Sequence, residues 1–424
     1  MCSHDPLEVD DALSDGWSVL SDGWIVFGDE SSEPDDDPLD ISHAMLGRYQ
    51  ESGDITHLDN AIQILRDALV PNPLGAGLVV QLSGQLRTRY ERLGRPEDNE
   101  EALSLLRHAL DITPDEDSER PSMLNNLGIH LQSRFERIGE LGDLEAAILM
   151  KRRAVELTPD DHPAKPSGLN NLANALQERF NCLGEPGDLE AAILVQRRAI
   201  ELTPDHHLNK PALINNLGIA LKERSECGGG LGDLEAAISV QRRAVELTSD
   251  GHPNKPVYMH NLSLSLGSYF ERVGELEDLE AAISAQLRAL ELTPDNHPTK
   301  PAHMDSIGGA LQKRFERAGE IGDLETAISM KRRAAELTPD DHLDKPRYMN
   351  NLGNALQIRF ERVGDLKDLR AVIVMKCRAV ELTPDDYQEK LAYMSNLGNA
   401  LQTHFLRVGE LGDLETAISM GRRA

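Results

Sequence analysis

Five histidines, His162, His207, His252, His297 and His342, return every 45 residues and look like a ladder of metal ligands. A zinc ion needs its nitrogens converging about 2 Å away. Equivalent residues of stacked units stand roughly 8–10 Å apart, so this row cannot close on one ion. The same spacing separates Cys182 from Cys227 by more than a disulfide tolerates, and Cys2 and Cys377 are remote in sequence, so free thiols are expected. Cys227-Gly228-Gly229-Gly230-Leu231-Gly232 is glycine-rich but lacks the Lys-Ser/Thr of a phosphate-binding loop, and reads as a slack turn. No Ser, Cys or His carries a base and an orienting group at readable spacing. No catalytic residue, cofactor-binding residue or metal ligand is therefore expected, and no enzyme. What does recur is a column of amides, which offers donors and acceptors together.

The elements that position these amides follow from an alanine that recurs at the same period: Ala109, Ala154, Ala199, Ala244, Ala289, Ala334, Ala379 and Ala424, with Ala68 placed 41 residues before the first. A long fixed period means one supersecondary unit copied many times. In the copy from Pro121 to Pro166, Leu127, Leu131 and Phe135 form a helical stripe, and Gly139 stops this helix A. Asp143 reads as the N-cap of helix B, which runs from Leu144 to about Leu157 with an apolar face built on Leu144, Ala147, Ile148 and Ala154. Thr158-Pro159-Asp160-Asp161 breaks it. The position after the first leucine stays small (Gly128, Ala173, Gly218, Ser263, Gly308, Gly353, Gly398), which lets the two helices approach closely. Lys151-Arg152-Arg153 and its equivalents read as a solvated basic run on the outer face, with Arg152 one turn from Glu156.

This pattern resembles the tetratricopeptide repeat: Leu127-Gly128, then Ala147, Ala154 and Pro159 at that motif's spacing. The 45-residue unit exceeds the 34-residue motif by 11, through a longer helix A end and a longer loop after Pro159. The first copy lacks the loop insertion, hence its period of 41. The aromatic residue usual midway along helix B is missing, with Lys151 or Gln196 in its place. The long unit looks like the arrays of kinesin light chains, and still more like basidiomycete arrays that often precede a caspase-like CHAT protease domain. The resemblance implies an all-α solenoid, a right-handed superhelix of nine hairpins over residues 41–424. Units fall near 41–76, 77–117, 118–162, 163–207, 208–252, 253–297, 298–342, 343–387 and 388–424, the last incomplete. Because the chain stops inside a helix B, a fragment or truncated gene product is expected.

In such arrays helix A lines the concave face. The resemblance then implies a groove for an extended peptide or protein segment formed by Asn125, Gln132, Asn170, Asn174, Gln177, Asn215, Lys222, Asn350, Asn354, Gln357, Asn399 and Gln402. Helix register between neighbours is the competing role for these amides. The adjoining row Asn126, Asn171, Asn216, Asn261, Asn351 and Asn396 is the more uniform and fits a structural contact. The implied protein is a non-catalytic interaction scaffold. The alternative is the sensor array of a longer CHAT-type protease or signalling protein.

Residues 1–40 hold 13 acids and no Lys or Arg, and their Ser, Asp and Pro content predicts disorder. They contain a tandem heptad, Leu13-Ser14-Asp15-Gly16-Trp17-Ser18-Val19 then Leu20-Ser21-Asp22-Gly23-Trp24-Ile25-Val26. Trp17 and Leu20 resemble the W-x-x-L motif that adds a strand to ubiquitin-like autophagy modifiers. An unassigned tail, or a segment folding back onto the array, stands beside that reading. The net charge of -28 and the lack of a basic stripe argue against nucleic acid as a partner. No run approaches a membrane span, and no signal or transit layout opens the chain, which points to the cytoplasm or nucleus.

Overall fold

The computed structural model describes residues 37–71, 75–384, 387 and 389–421. Eighteen α-helices are seen among them: α1 (Pro38–Ser52), α2 (Ile55–Leu69), α3 (Ala76–Leu93), α4 (Pro96–Ile112), α5 (Arg120–Ile138), α6 (Leu141–Leu157), α7 (Lys165–Leu183), α8 (Pro186–Leu202), α9 (Lys210–Glu226), α10 (Leu231–Leu247), α11 (Lys255–Val273), α12 (Leu276–Leu292), α13 (Lys300–Ala318), α14 (Ile321–Leu337), α15 (Lys345–Val363), α16 (Leu366–Leu382), α17 (Glu389–Val408) and α18 (Leu411–Gly421). Odd-numbered helices are helices A and even-numbered ones helices B. The chain divides into two compact units at Gly229–Gly230, so α1–α9 belong to the first and α10–α18 to the second. None of these helices is long and apolar enough to cross a membrane.

Apart from α9, which closes on Cys227 with Gly228 after it, each helix A ends on a glycine at positive φ, a conformation that only a residue without Cβ adopts cheaply. At Gly139 φ is 79°, and its N–H donates to Phe135 O at 2.7 Å. One extended residue, Glu140, then suffices to start α6 at Leu141. This corrects the sequence reading: helix B begins three residues before Leu144, and Asp143 lies inside its first turn rather than capping it. The Asp143 carboxylate instead takes both sides of the Arg134 guanidinium, at 2.6 and 2.7 Å. Residues 38–40, which composition assigned to the acidic head, are helical too, with the Asp37 carboxylate accepting from Leu39 N.

Within the first unit the hairpins bury one another's apolar faces. Leu144 and Ile148 of α6 pack with Leu172 and Leu176 of α7 and Ala192 of α8. In the second unit Ile283 of α12 packs with Ile307 and Leu311 of α13 and Ala327 of α14. The recurring alanine is buried from Ala109 to Ala379, with Ala154 3% exposed and Ala199 0%, while Ala68 in the first hairpin is half-buried. Such a core passes cohesion only from one hairpin to the next. Successive helices A also touch one another, as α3 does α5 and α13 does α15, and this closeness places the A layer on the inner side of each unit.

A row of cations closes the long B-to-A loops. Lys165 Nζ donates to Val155 O (2.9 Å) and Thr158 O (2.7 Å), the open carbonyl end of α6, and pairs with Asp160 at 3.1 Å. Lys210 and Lys345 do the same for α8 and α14. A cation at that end also opposes the helix dipole. The loop histidines serve the same turn: His162 Nδ1 accepts from Ala164 N, and His342 Nδ1 from Asp344 N.

Candidate ligand-facing surface

The inner layer is built from helix A positions spaced three and four apart. The uniform asparagine row runs between helices. Asn171 Nδ2 donates to Asn125 Oδ1 (3.2 Å), Asn216 to Asn170 (3.0 Å), Asn351 to Asp305 (2.9 Å) and Asn396 to Asn350 (3.1 Å). Each bond ties one helix A to the helix A before it. Asn170 Oδ1 also accepts from Gln196 Nε2 at 3.0 Å.

This relay divides the residues expected in the groove. Asn170, Asn215 and Asn350 are buried, as is Gln177, whose Nε2 donates to Glu223 Oε2 at 2.6 Å. In this conformation those four side chains are turned into the stack. Asn125, Gln132, Asn174, Lys222, Asn354 and Gln357 are half-exposed, and Asn399 and Gln402 are exposed. Lys222 is ion-paired to Glu226 at 2.8 Å. Trp17 and Leu20 lie outside the described residues.

The sequence reading missed the helix B side chain that passes through to this layer. Lys151 is 2% exposed rather than solvated. Its stem crosses Gly128 of α5, where an added Cβ would stand 2.7 Å from Lys151 Cγ and 3.0 Å from Ala147 O. Its Nζ emerges to donate to Gln132 Oε1. Lys376 repeats this across Gly353 and reaches Gln357 Oε1 at 2.9 Å. Lys331 crosses Gly308 and faces Asp305 at 3.5 Å. Among the described residues, each of these three lysines faces a glycine, a signal that was visible in the chain. Arg152 and Arg153 do remain exposed, but Arg153, not Arg152, pairs with Glu156, at 3.2 Å.

Electrostatics around Lys151 are set by burial and by the carboxylates of helices A beside it. Burial lowers the Lys151 ammonium to about 8, opposed by the Glu178 and Glu136 carboxylates. Burial, and then the Glu136 charge, push the Glu178 carboxyl up to about 8. Glu223 is raised to about 7 by burial, against the bond from Gln177. The inner layer of the first unit thus combines half-exposed amides with weakly ionised carboxyls.

Arginine–aspartate clasps hold the two helices of a hairpin together. They recur as Arg89–Asp98, Arg134–Asp143, Arg179–Asp188, Arg314–Asp323 and Arg359–Asp368. His404 replaces the arginine in the last, with Nδ1 2.5 Å from Asp413 Oδ2. With Glu410 these two bring three ligand atoms within 4.8 Å, the one such group among the described residues. Two of its three donors already bond each other, in the place the clasp occupies elsewhere.

No family model and no curated protein matches the chain. Among solved structures, the APC/C hetero-tetramer Cut9-Hcn1 matches at 14% identity and TM-score 0.48, over 81% of this chain and 52% of that one. The chain therefore spans about half the length of that relative. A putative kinesin light chain from Podosopora anserina with nearly identical TPR-like repeats matches at 17% identity and TM-score 0.37, over 50% of this chain and 94% of that one. A MamA RS-1 ArsTM double mutant matches at 19% identity and TM-score 0.34, over 50% and 93% of the two chains. The paired helices themselves, with Leu127, Gly128, Ala147 and Ala154 buried where A meets B, make this chain an all-α array of TPR-like hairpins.

Proposed function

We propose that the array is a non-catalytic scaffold that holds an extended peptide or protein segment along the inner face of helices A. The observation that supports this is the division of labour among the amides. Asn170, Asn215 and Asn350 are buried in the stack, while Gln132, Asn174, Asn354 and Gln357 keep half-exposed amides on the inner side. A row of amides suits the main chain of an extended ligand, because each has two N–H groups and two lone pairs, of which Gln132 and Gln357 use one of each on Glu136, Lys151, Glu361 and Lys376. The work is cytosolic or nuclear in this reading, and a ubiquitin-like modifier engaging Trp17 and Leu20 belongs to it as a second contact. The sensor-array reading rests on sequence resemblance alone. The test is a peptide-display selection on the full chain, repeated on Gln132→Ala/Asn174→Ala and on Asn354→Ala/Gln357→Ala. Loss of the selected peptides with the helix content intact supports the groove. Peptides that bind wild type and both variants alike place the contact elsewhere.

A further inference from the structure

Two buried histidines meet at one joint of the second unit, and the inner groove does not use them. His260 of α11, Gln286 of α12 and His303 of α13 are each 1% exposed. Gln286 Nε2 lies 2.9 Å from His260 Nδ1 and 3.1 Å from His303 Nδ1, while its Oε1 accepts from Ser263 Oγ at 2.7 Å. The two rings meet edge to face, with centroids 5.3 Å apart. Both histidines are particular to this joint. From α5 on, the other helices A carry Asn, Asp or Ser where His260 stands, and Met, Gly, Leu or Tyr where His303 stands. The equivalent joint of the first unit holds Gln196 between Asn170 Oδ1 and Leu213 O, at 3.0 and 2.9 Å.

This arrangement accepts a proton badly. The Gln286 amide has two N–H groups for the two Nδ1 lone pairs, which leaves each ring its hydrogen on Nε2. A further proton must enter at Nδ1, where it sets donor against donor. Turning the amide over offers one oxygen to two rings and takes it from Ser263. His303 Nε2 is enclosed without a hydrogen-bond partner, so the ring gains nothing on that side. Burial, and then the charges of His260, His297 and Lys300, lower His303 to about 3. Charged groups on the elements packed here are engaged elsewhere. Lys255 of α11 and Arg288 of α12 both pair with Asp250, and Asp305 of α13 is held by Lys331 of α14 and Asn351 of α15.

We propose that this joint is a proton-operated release: uptake of a proton by His260 or His303 parts α13 from the α11–α12 hairpin while the hairpins themselves stay folded. An array coheres only through neighbouring contacts, so one joint can open alone. Hydrogen exchange of the full chain at pH 6.5 and 4.5, corrected for the intrinsic rate, reads it. A histidine that charges only on opening should lower protection in α12 and α13 by more than about tenfold over this range. Protection in α8 and α9, around Gln196, should change less. His260→Asn/His303→Leu gives the joint the residues that Gln196 already meets, and should remove the extra loss with far-UV circular dichroism at pH 6.5 unchanged. The wild-type comparison of the two joints stands without any variant. The proposal is overturned if α12 and α13 lose no more protection than α8 and α9, or if the double variant keeps the wild-type loss. It is overturned as well if protection falls alike in every helix of the second unit, which would mean general unfolding.

Discussion

Replacing Gly128 by alanine probes the passage through which Lys151 reaches the inner layer. The new Cβ would stand 2.7 Å from Lys151 Cγ and 3.0 Å from Ala147 O. The first is a flexible side chain, the second a fixed helix carbonyl, so the lysine can yield and the backbone cannot. Overpacking of this kind costs about 1–3 kcal/mol. Alanine returns about 1 kcal/mol of helix propensity over glycine. The net expectation is a loss of up to about 2 kcal/mol. At Gly353 the nearest atoms are all from Lys376, the closest at 3.0 Å, and no carbonyl is among them. Gly353→Ala should therefore fall within about 1 kcal/mol of neutral, the propensity gain offsetting a softer clash. A repeat array need not unfold in one step, so local opening by native-state hydrogen exchange in α5–α6 and α15–α16 is the suitable assay. The cycle closes with Lys151→Gln, since Gln196 sits at the equivalent position opposite Ala173. Gly128→Ala should cost less in the Lys151→Gln background, with a coupling of at least about 0.5 kcal/mol. Equal effects at the two glycines, or a coupling of zero, would refute the crossing-lysine account.

Three further outcomes follow from the packing. Arg89→Met leaves the buried Asp98 carboxylate without its guanidinium and should cost about 3–5 kcal/mol in urea unfolding, whereas Arg198→Met, whose partner Asp160 is exposed, should cost under about 1. Lys165→Met removes charged bonds to Val155 O and Thr158 O and should cost about 1.5–3 kcal/mol, seen as faster exchange in the last turn of α6; unchanged exchange there would count against the capping role. Burial lowers His130 from 6.5 to about 4 and His303 to about 3, so both are held neutral. Their stabilisation is complete above pH 6.5 and is lost as pH falls toward those folded-state values, about 2–3 kcal/mol each by pH 4.5. Urea unfolding at pH 7 and 4.5 should show His130→Gln and His303→Tyr losing less on acidification than wild type.

The repeat, its hairpin and its buried alanine were legible because the core demands the same small or aliphatic residue in every copy. Gly139 was legible for a similar reason, as a positive-φ stop admits few alternatives. Asp143 was misplaced because a carboxylate suits both a cap and a first turn, and because Leu141-Gly142 resembles a loop although the single residue Glu140 is all that separates the stop at Gly139 from α6. Lys151 was misread through its neighbours: within Lys-Arg-Arg only Arg152 and Arg153 are solvated, and the glycine that admits the lysine lies 23 residues away. The split between Asn170 and Asn174 depends on how closely successive helices A approach, and hydrophobic period carries no crossing distance. The clasp of Arg134 on Asp143 joins residues nine apart and has no helical period at all.

The cation anchor at the end of each long loop, Arg120 before α5 and a lysine in later copies, has a consequence for how the stack comes apart. The four-residue insertion that brings this anchor is missing after α2, and the sequence Pro71-Asn72-Pro73-Leu74-Gly75 holds no Lys or Arg. Its opening hairpin is thus joined to the next by packing and by the Arg66–Glu101 and Arg89–Asp59 ion pairs, without the helix-end latch that later joints carry besides. Under tension or dilute denaturant the first unit should unzip from α1 inward, shedding its leading hairpin before the rest responds. A force trace would record that as a small early step, and moving the latch into that joint should erase it.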